Sequence, residues 1–377
     1  MNRFKHILFH GIKNSIFLFI CLLPFFAESF AQTVSDDITG SRKNAITRTV
    51  DIISPTVVGI NVTEVREYRD PLANFFGNDP LFRQFFGDRN IRQEVKGLGS
   101  GFIISTDGYI ITNDHVAGNA KEIIVTMTNG KKYPAELIGT DIVTDVALIK
   151  VKGENFPYVK LGNSDDVMIG EWAIAFGNPF GLFDNVDKPI VTVGVVSAVG
   201  MNLNVDNNRS YKGLIQTDAV INAGNSGGPL VNSVGEVIGI NTLIYTAGVS
   251  QAFIGYGFAL PINRVRTIME ELKKFGKIER NFWTGMEVQP VDLRIARYFG
   301  LTKAEGVIIS DIKEKSPAEK VGLKVGDIIL EMNGEKIVNE EAVVAVIREA
   351  RAGDVLTMKV YREKKTFDVS LTLEKRK

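Results

Sequence analysis

Gly224-Asn225-Ser226-Gly227-Gly228-Pro229 is the stretch on which the reading of this chain turns. A hydroxyl nucleophile needs a tight turn beneath it, so that its oxygen projects into a cleft, and glycine supplies the backbone freedom for that turn. In such a turn the N–H groups of Gly224 and Ser226 are left to point at an oxygen on which negative charge develops. The competing reading is an ordinary Gly/Asn/Ser surface turn. A serine hydroxyl is weak on its own, so the choice depends on whether the chain also carries a base and a group to orient it.

The base is a short search. The chain has three histidines and one cysteine. Its start reads as a signal peptide over residues 1–31: Arg3, Lys5 and Lys13 are positive, residues 16–26 are apolar but too short to span a bilayer comfortably, and Ser29-Phe30-Ala31 supplies the small residues of a cleavage site. An uncleaved membrane anchor is the alternative. No lipoprotein signal fits, because Ile20 precedes Cys21. Cleavage would remove Cys21, His6 and His10 and leave His115 as the one imidazole. His115 ends an apolar strand pattern, Ile110-Ile111-Thr112-Asn113-Asp114-His115. Asp145 opens another thirty residues later, in Thr144-Asp145-Val146-Ala147-Leu148. There an aspartate can accept from the imidazole, fix its tautomer and stabilise the imidazolium. Taken alone, a lone histidine is usually structural and Asp145 could be a turn residue.

Composition narrows the classes. Lys plus Arg total 44, Asp plus Glu total 44, and no long basic stretch stands out, so nucleic acid is not an expected partner. Apolar content of 45% suits a globular chain. With no cysteine after cleavage, the core must stand without disulfides. One histidine removes most zinc constellations, and neither metal nor cofactor is expected.

From residue 56 to about 260 the pattern is one of short β-rich runs between Gly, Asn and Asp, at 101–105, 109–112, 122–127, 146–151, 172–176, 191–196 and 237–242. The expectation is a mainly β fold of two small barrels. Ile46, Val50 and Ile53 predict a helix before them, and Ile262, Val265, Ile268, Met269 and Leu272 predict one after Pro261. Residues 276–280 read as a short charged linker. Beyond it lie predicted strands near Met286 and at 306–312, 327–332, 355–361 and 366–373, with helices after Pro317 and at 340–350. Residues 64–96 interrupt the barrel pattern with Phe75, Phe76, Phe82, Phe85 and Phe86, either as a surface loop or as an interaction loop.

The order His, Asp, Ser is that of trypsin-like barrel proteases, not of subtilisins or α/β-hydrolases. The segments Ser316-Pro317-Ala318, Gly322-Leu323, Gly326-Asp327-Ile328-Ile329-Leu330 and Asn333-Gly334 resemble a PDZ domain. With Thr112-Asn113-Asp114-His115, Asp145-Val146-Ala147-Leu148, Gly177-Asn178-Pro179-Phe180-Gly181, Gln216-Thr217-Asp218 and Gly239-Ile240-Asn241, the chain resembles the HtrA/Deg proteases over nearly its whole length. The resemblance implies a trypsin-like double-barrel protease domain at 41–275, a PDZ domain at 281–377, and His115, Asp145 and Ser226 as a triad. It also implies homotrimers or larger cages and ATP-independent cleavage of unfolded or mislocalised protein in the periplasm. Alternatives are a regulatory protease cutting a membrane-bound signalling protein, and a non-enzymatic PDZ chaperone.

Finer expectations follow from the resemblance. Asn225 stands where trypsin-like zymogens have an activating aspartate, so activation by a new N-terminus is not expected. Val220, six residues before Ser226, lies at the base of the implied specificity pocket, and Ile244 on its wall, which makes that pocket shallow and apolar. Residues 182–190 lengthen the turn after Gly181. Met201 stands where bacterial members often carry a relay arginine, with Arg209 as a candidate replacement. Trp283, Thr284, Gly285 and Met286 form the implied loop that holds a peptide's C-terminal carboxylate, with the next strand pairing to the peptide.

Overall fold

The computed structural model describes residues 40, 42–69, 90–178, 183, 187–203, 209–222, 224–244 and 255–376. The signal-peptide segment, the five phenylalanines of the 64–96 stretch, and residues 182 and 184–186 of the lengthened turn lie outside them.

The first helix, α1 (Ala45–Ile53), buries Ile53 and is capped by Asn44, whose side chain accepts from Thr47 N. Next come β1 (Val57–Arg69), β2 (Asn90–Ile103), β3 (Tyr109–Thr112), the one-turn helix α2 (Asp114–Ala117), β4 (Glu122–Met127), β5 (Lys132–Asp141) and β6 (Val146–Val151). These strands close into a barrel in the order β1-β2-β3-β6-β5-β4. The second barrel uses β7 (Lys160–Leu161), β8 (Trp172–Gly177), β9 (Ile190–Leu203), β10 (Tyr211–Thr217), β11 (Pro229–Val231), β12 (Glu236–Ile244) and β13 (Gly257–Pro261). Its sheet runs β11-β8-β9-β10-β13-β12-β7, and an added β11–β12 pairing closes it.

The apolar runs have a simple origin. Successive side chains of a strand point to opposite faces, and here both faces are buried. Val58, Ile60, Ile103, Ile110, Ala147 and Ile149 fill the first barrel. Their neighbours Val57, Phe102, Ile111, Val146 and Leu148 face the other way, into a shared core with Ile174, Phe176, Leu214 and Ile240 of the second barrel. The barrels are thus joined by side chains that alternate with those inside them.

Helix α3 (Ile262–Phe275) then packs Ile262, Val265, Ile268 and Leu272 onto this shared core and ends at Gly276 in the left-handed region. The remaining unit contains β14 (Phe282–Trp283), β15 (Met286–Pro290), α4 (Leu293–Phe299), β16 (Val307–Ile312), α5 (Pro317–Lys320), β17 (Ile328–Met332), β18 (Glu335–Lys336), α6 (Glu340–Ile347), β19 (Val355–Arg362), β20 (Lys365–Thr372) and β21 (Glu374–Lys375). Its main sheet runs β15-β16-β17-β19-β20, which puts β15 at an edge. Val307, Ile309, Ile329, Leu356, Met358 and Leu371 form its own core, against which Val343 and Val346 of α6 pack.

Candidate active site

His115 sits on the one-turn helix that follows β3, and Asp145 immediately precedes β6. Because β3 and β6 pair antiparallel, Thr112 opposite Ala147, the two residues emerge at the same end of the first barrel. Asp145 lies in the left-handed region at φ +57°, uncommon for a side-chain-bearing residue and best tolerated by Asp and Asn. Its carboxylate is fully buried, while the imidazole is 34% exposed. Oδ2 lies 2.8 Å and Oδ1 3.0 Å from His115 Nδ1, and Oδ1 also accepts from the His115 backbone N–H at 3.1 Å.

The second barrel completes the shell around Asp145. Thr242 Oγ1 donates to Oδ2 at 2.8 Å, and the Tyr211 hydroxyl lies 3.4 Å from the same oxygen. Burial opposes ionisation of Asp145, but the hydrogen bonds and charge of His115 and the Thr242 hydroxyl outweigh it and hold the carboxyl below its ordinary range. Asn113 Nδ2 donates to the Asp145 carbonyl at 2.8 Å and so fixes the turn's backbone.

Ser226 occupies the turn before β11. Its Oγ donates to the carbonyl of Thr242 at 3.3 Å. Thr242 is therefore bonded to both, through its hydroxyl to Asp145 and through its carbonyl to Ser226. The turn is anchored to the first barrel by Ser100, whose N–H donates to Ser226 O at 2.9 Å and whose hydroxyl donates to Gly224 O. That hydroxyl also accepts from Asn178 N at 2.8 Å, and Thr112 Oγ1 donates to Ser100 O at 2.7 Å. Gly227, at φ +83°, packs so closely here that a Cβ would lie 2.2 Å from Ser100 O. Among the described residues the N–H groups of Gly224 and Ser226 donate to no backbone carbonyl.

Other expected positions fall as follows. Asn225 is buried, with its amide nitrogen 3.4 Å from Val220 O. The Val220 side chain is 37% exposed beside the turn, and Ile244 ends β12, its side chain lying outside what is described. Met201 packs against the shared core and pairs with Leu214, so it makes no polar relay. Arg209 does reach the site, with Nη2 2.9 Å from Asp114 and Nε 3.3 Å from Asp145 Oδ1. In the terminal unit, Trp283 pairs with Glu374, Thr284 O accepts from Ala318 N at 3.0 Å and Gly285 O from Lys313 N at 2.8 Å, and Met286 opens edge strand β15. Sequence reasoning missed Ser100, Thr242, Tyr211 and Asn113, and the one signal for Thr242 was its place directly after Gly239-Ile240-Asn241.

Residues 99–240 match the trypsin-like peptidase domain and residues 283–373 the PDZ domain. A probable periplasmic serine endoprotease DegP-like from Pseudomonas fluorescens is 42% identical over 343 residues, covering 87% of this chain and 69% of that protein. A similarly named protein from Marinomonas sp. is 41% identical over 354 residues, covering 94% of this chain and 72% of its own. Among solved structures, HtrA-type protease AlgW with decapeptide superposes with a TM-score of 0.64 at 33% identity, covering 87% of this chain and 98% of that one.

Proposed function

We propose, for a chain that belongs to the HtrA/Deg family of serine endoproteases, that His115, Asp145 and Ser226 carry its peptide hydrolysis and that it acts on unfolded or mislocalised proteins in the periplasm. The observation that carries the assignment is the position of Thr242, bonded at once to the Asp145 carboxylate and to the Ser226 hydroxyl. It ties the nucleophile of one barrel to the His–Asp pair of the other.

In the reaction Ser226 Oγ leaves the Thr242 carbonyl and attacks the scissile carbonyl carbon while the His115 imidazole takes its proton. Asp145 keeps the proton of His115 on Nδ1, so Nε2 is the base, and it stabilises the imidazolium that forms. The N–H groups of Gly224 and Ser226 receive the oxyanion. His115 returns the proton to the leaving amine, and water repeats the sequence to release the acyl group. Peptide hydrolysis runs downhill, so no ATP is required.

Val220 and Ile244 bound an uncharged, shallow specificity pocket. Asn225 offers an amide where a zymogen's activating aspartate would stand, so the oxyanion turn is ordered by ligands or partner contacts. The residues 283–286 and the edge of β15 take the free C-terminus of a peptide as an added strand. Subunits assemble as a homotrimer or a larger cage. Residues 1–31 direct export, and either leave as a signal peptide or remain as an anchor.

Ser226→Ala tests the assignment. Turnover of casein is expected to fall on the order of a millionfold while the far-ultraviolet spectrum stays unchanged, and a fluorophosphonate is expected to label the parent but not the variant. Casein digestion by the variant at near the parental rate would refute it.

A further inference from the structure

Ser100 of β2 meets the serine turn with its backbone and with its side chain. It is fully buried and sits opposite Gly59 in the strand pair, between Gly99 and Gly101. The space left by the bare Gly59 is taken by Asn178, whose Nδ2 lies 2.2 Å from where a Cβ would stand. The Ser100 hydroxyl thus lies between two segments of the second barrel. It accepts from Asn178 N at 2.8 Å and donates to Gly224 O. A hydroxyl has one proton, and the Asn178 N–H can only donate, so that proton is committed to Gly224 O.

The Gly224 carbonyl belongs to the peptide that separates the two oxyanion donors. Gly224 N–H precedes it and Ser226 N–H follows it. The direction of one donor relative to the other is set by the dihedral angles on either side of this planar unit. Gly224 lies at φ +99°, and glycine imposes little restriction of its own on those angles. The peptide is held from outside instead, at Gly224 O by Ser100 and at Asn225 N by Asn222 O at 3.0 Å. In the next peptide Gly228 N donates to Asn225 O at 2.9 Å, which turns the Ser226 N–H the opposite way. Asn222 and Gly228 are part of the same turn, whereas Ser100 belongs to the other barrel. Ser100 is also tied to the strand that leads to His115, since Thr112 Oγ1 donates to Ser100 O at 2.7 Å.

We propose that Ser100 is a positioning residue for the oxyanion hole, its hydroxyl fixing the Gly224–Asn225 peptide so that the N–H groups of Gly224 and Ser226 converge on one oxygen. Without the hydroxyl, Gly224 O and Asn178 N–H lose their buried partner, and the peptide turns toward another donor. The two N–H groups then diverge. A bound substrate with a neutral carbonyl loses little by this, while the tetrahedral oxyanion loses most.

The inference rests on the reading of His115, Asp145 and Ser226 as the reacting groups. Its test uses the full-length protein and a short fluorogenic peptide. Ser100→Ala is expected to lower kcat on the order of 100-fold with KM unchanged. A peptide trifluoromethyl ketone gives the second readout. Ser226 Oγ adds to its carbonyl carbon, the hydroxyl proton passes to His115, and the carbonyl oxygen becomes the oxyanion. Its inhibition constant should rise by a factor similar to the loss in kcat, while the matching peptide alcohol, which forms no adduct, should bind as it does to the parent. Ser100→Cys fills the same space with a weaker donor and should lose on the order of tenfold in kcat, which keeps the test open if the alanine variant does not fold. Thr56→Val removes another buried hydroxyl, bonded to Ile53 O at 2.6 Å, and should leave kcat and both inhibition constants unchanged.

A parental kcat in Ser100→Ala, or in Ser100→Cys where the first variant does not fold, would overturn the proposal. So would equal weakening of the ketone and the alcohol, which would make the loss one of substrate binding. An equal loss of kcat in Thr56→Val would overturn it too, since any buried hydroxyl would then serve. Retained activity in Ser226→Ala would instead strike the reading beneath it, so the two failures are distinguishable.

Discussion

Gly227→Ala is expected to damage both the fold and the nucleophile, by amounts that can be worked out from its surroundings. Gly227 lies at φ +83°, and an added Cβ would sit 2.2 Å from Ser100 O and 2.3 Å from Thr112 Oγ1. Ser100 O belongs to a barrel strand and cannot swing aside as a long side chain would. The left-handed conformation costs a Cβ-bearing residue about 1–2 kcal/mol, and forced overpacking costs about 1–3 kcal/mol more. Gly235→Ala is the reference, because its φ is +85° and nothing lies within 4 Å of its Cβ position. Urea denaturation of both variants therefore separates the terms, with about 1–3 kcal/mol of the difference due to the clash. Labelling by a fluorophosphonate reads the second consequence. Gly227 N–H is bonded to Asn241 O at 2.8 Å, so the clash is relieved by moving the turn that carries Ser226. A displacement of about 1 Å costs about 100-fold in rate, and Gly235→Ala should label at the parental rate. If Gly227→Ala matched Gly235→Ala in both midpoint and labelling rate, Ser100 and Thr112 would not be what confines the serine turn.

Asp145→Asn should lower kcat about 10⁴-fold with little change in secondary structure, since an amide facing His115 Nδ1 favours the wrong tautomer, and steady-state kinetics on a peptide reporter checks it. Asp107 is held at about 2, below its ordinary 3.8, chiefly by its hydrogen bond from Lys150. A lowered folded pKa stabilises above 3.8 and loses that contribution as pH falls toward 2, so Asp107→Asn should lower Tm at pH 7 and leave it unchanged below pH 2. The pair is exposed and worth less than about 1 kcal/mol, so the shift in a thermal melt should be roughly 2 °C. Proteomic cleavage profiling should find cuts after Val, Ala or Ile, because Val220 offers an uncharged surface, and a profile dominated by Lys or Arg would contradict that pocket.

The parts of the fold that were legible are those whose patterns are local. Strands β3, β4 and β6 stood out because burial on both faces makes them continuous apolar runs, and α3 because Ile262, Val265, Ile268 and Leu272 repeat at helical spacing. Strand β5 did not, since its first half is largely exposed and reads as a polar hairpin arm with a proline in it. Helix α4 escaped because Leu293 and Tyr298 face outward and among its residues only Ala296 is buried. In the proposed site, His115, Asp145 and Ser226 stood out as candidates because the chemistry of a triad restricts residue type and order. Thr242 and Ser100 could not, since each matters through partners 97 and 124 positions away and both are common polar residues. Arg209 was singled out as a replacement for a relay arginine, but its placement between Asp114 and Asp145 depends on the docking of the second barrel onto the first, which no local pattern records.

Asp145 also explains why the barrels must meet before the site can exist. A carboxylate buried without partners costs several kcal/mol. The first barrel alone supplies His115 and the Asn113 contact to the carbonyl, while Thr242 and Tyr211 arrive only with the second. The carboxyl is held in its ionised form by donors from both sides, so the free energy that keeps it charged is also free energy of barrel docking. Below the folded pKa of Asp145 that contribution disappears, and above the ordinary carboxylate range it is fully present. The same docking places the Thr242 carbonyl against Ser226 and Ser100 against the serine turn. A population with separated barrels would leave the Asp145 carboxylate in water without the Thr242 and Tyr211 contacts that aim it, and the serine turn without its Ser100 anchor, which ties activity to the cooperative formation of the shared core.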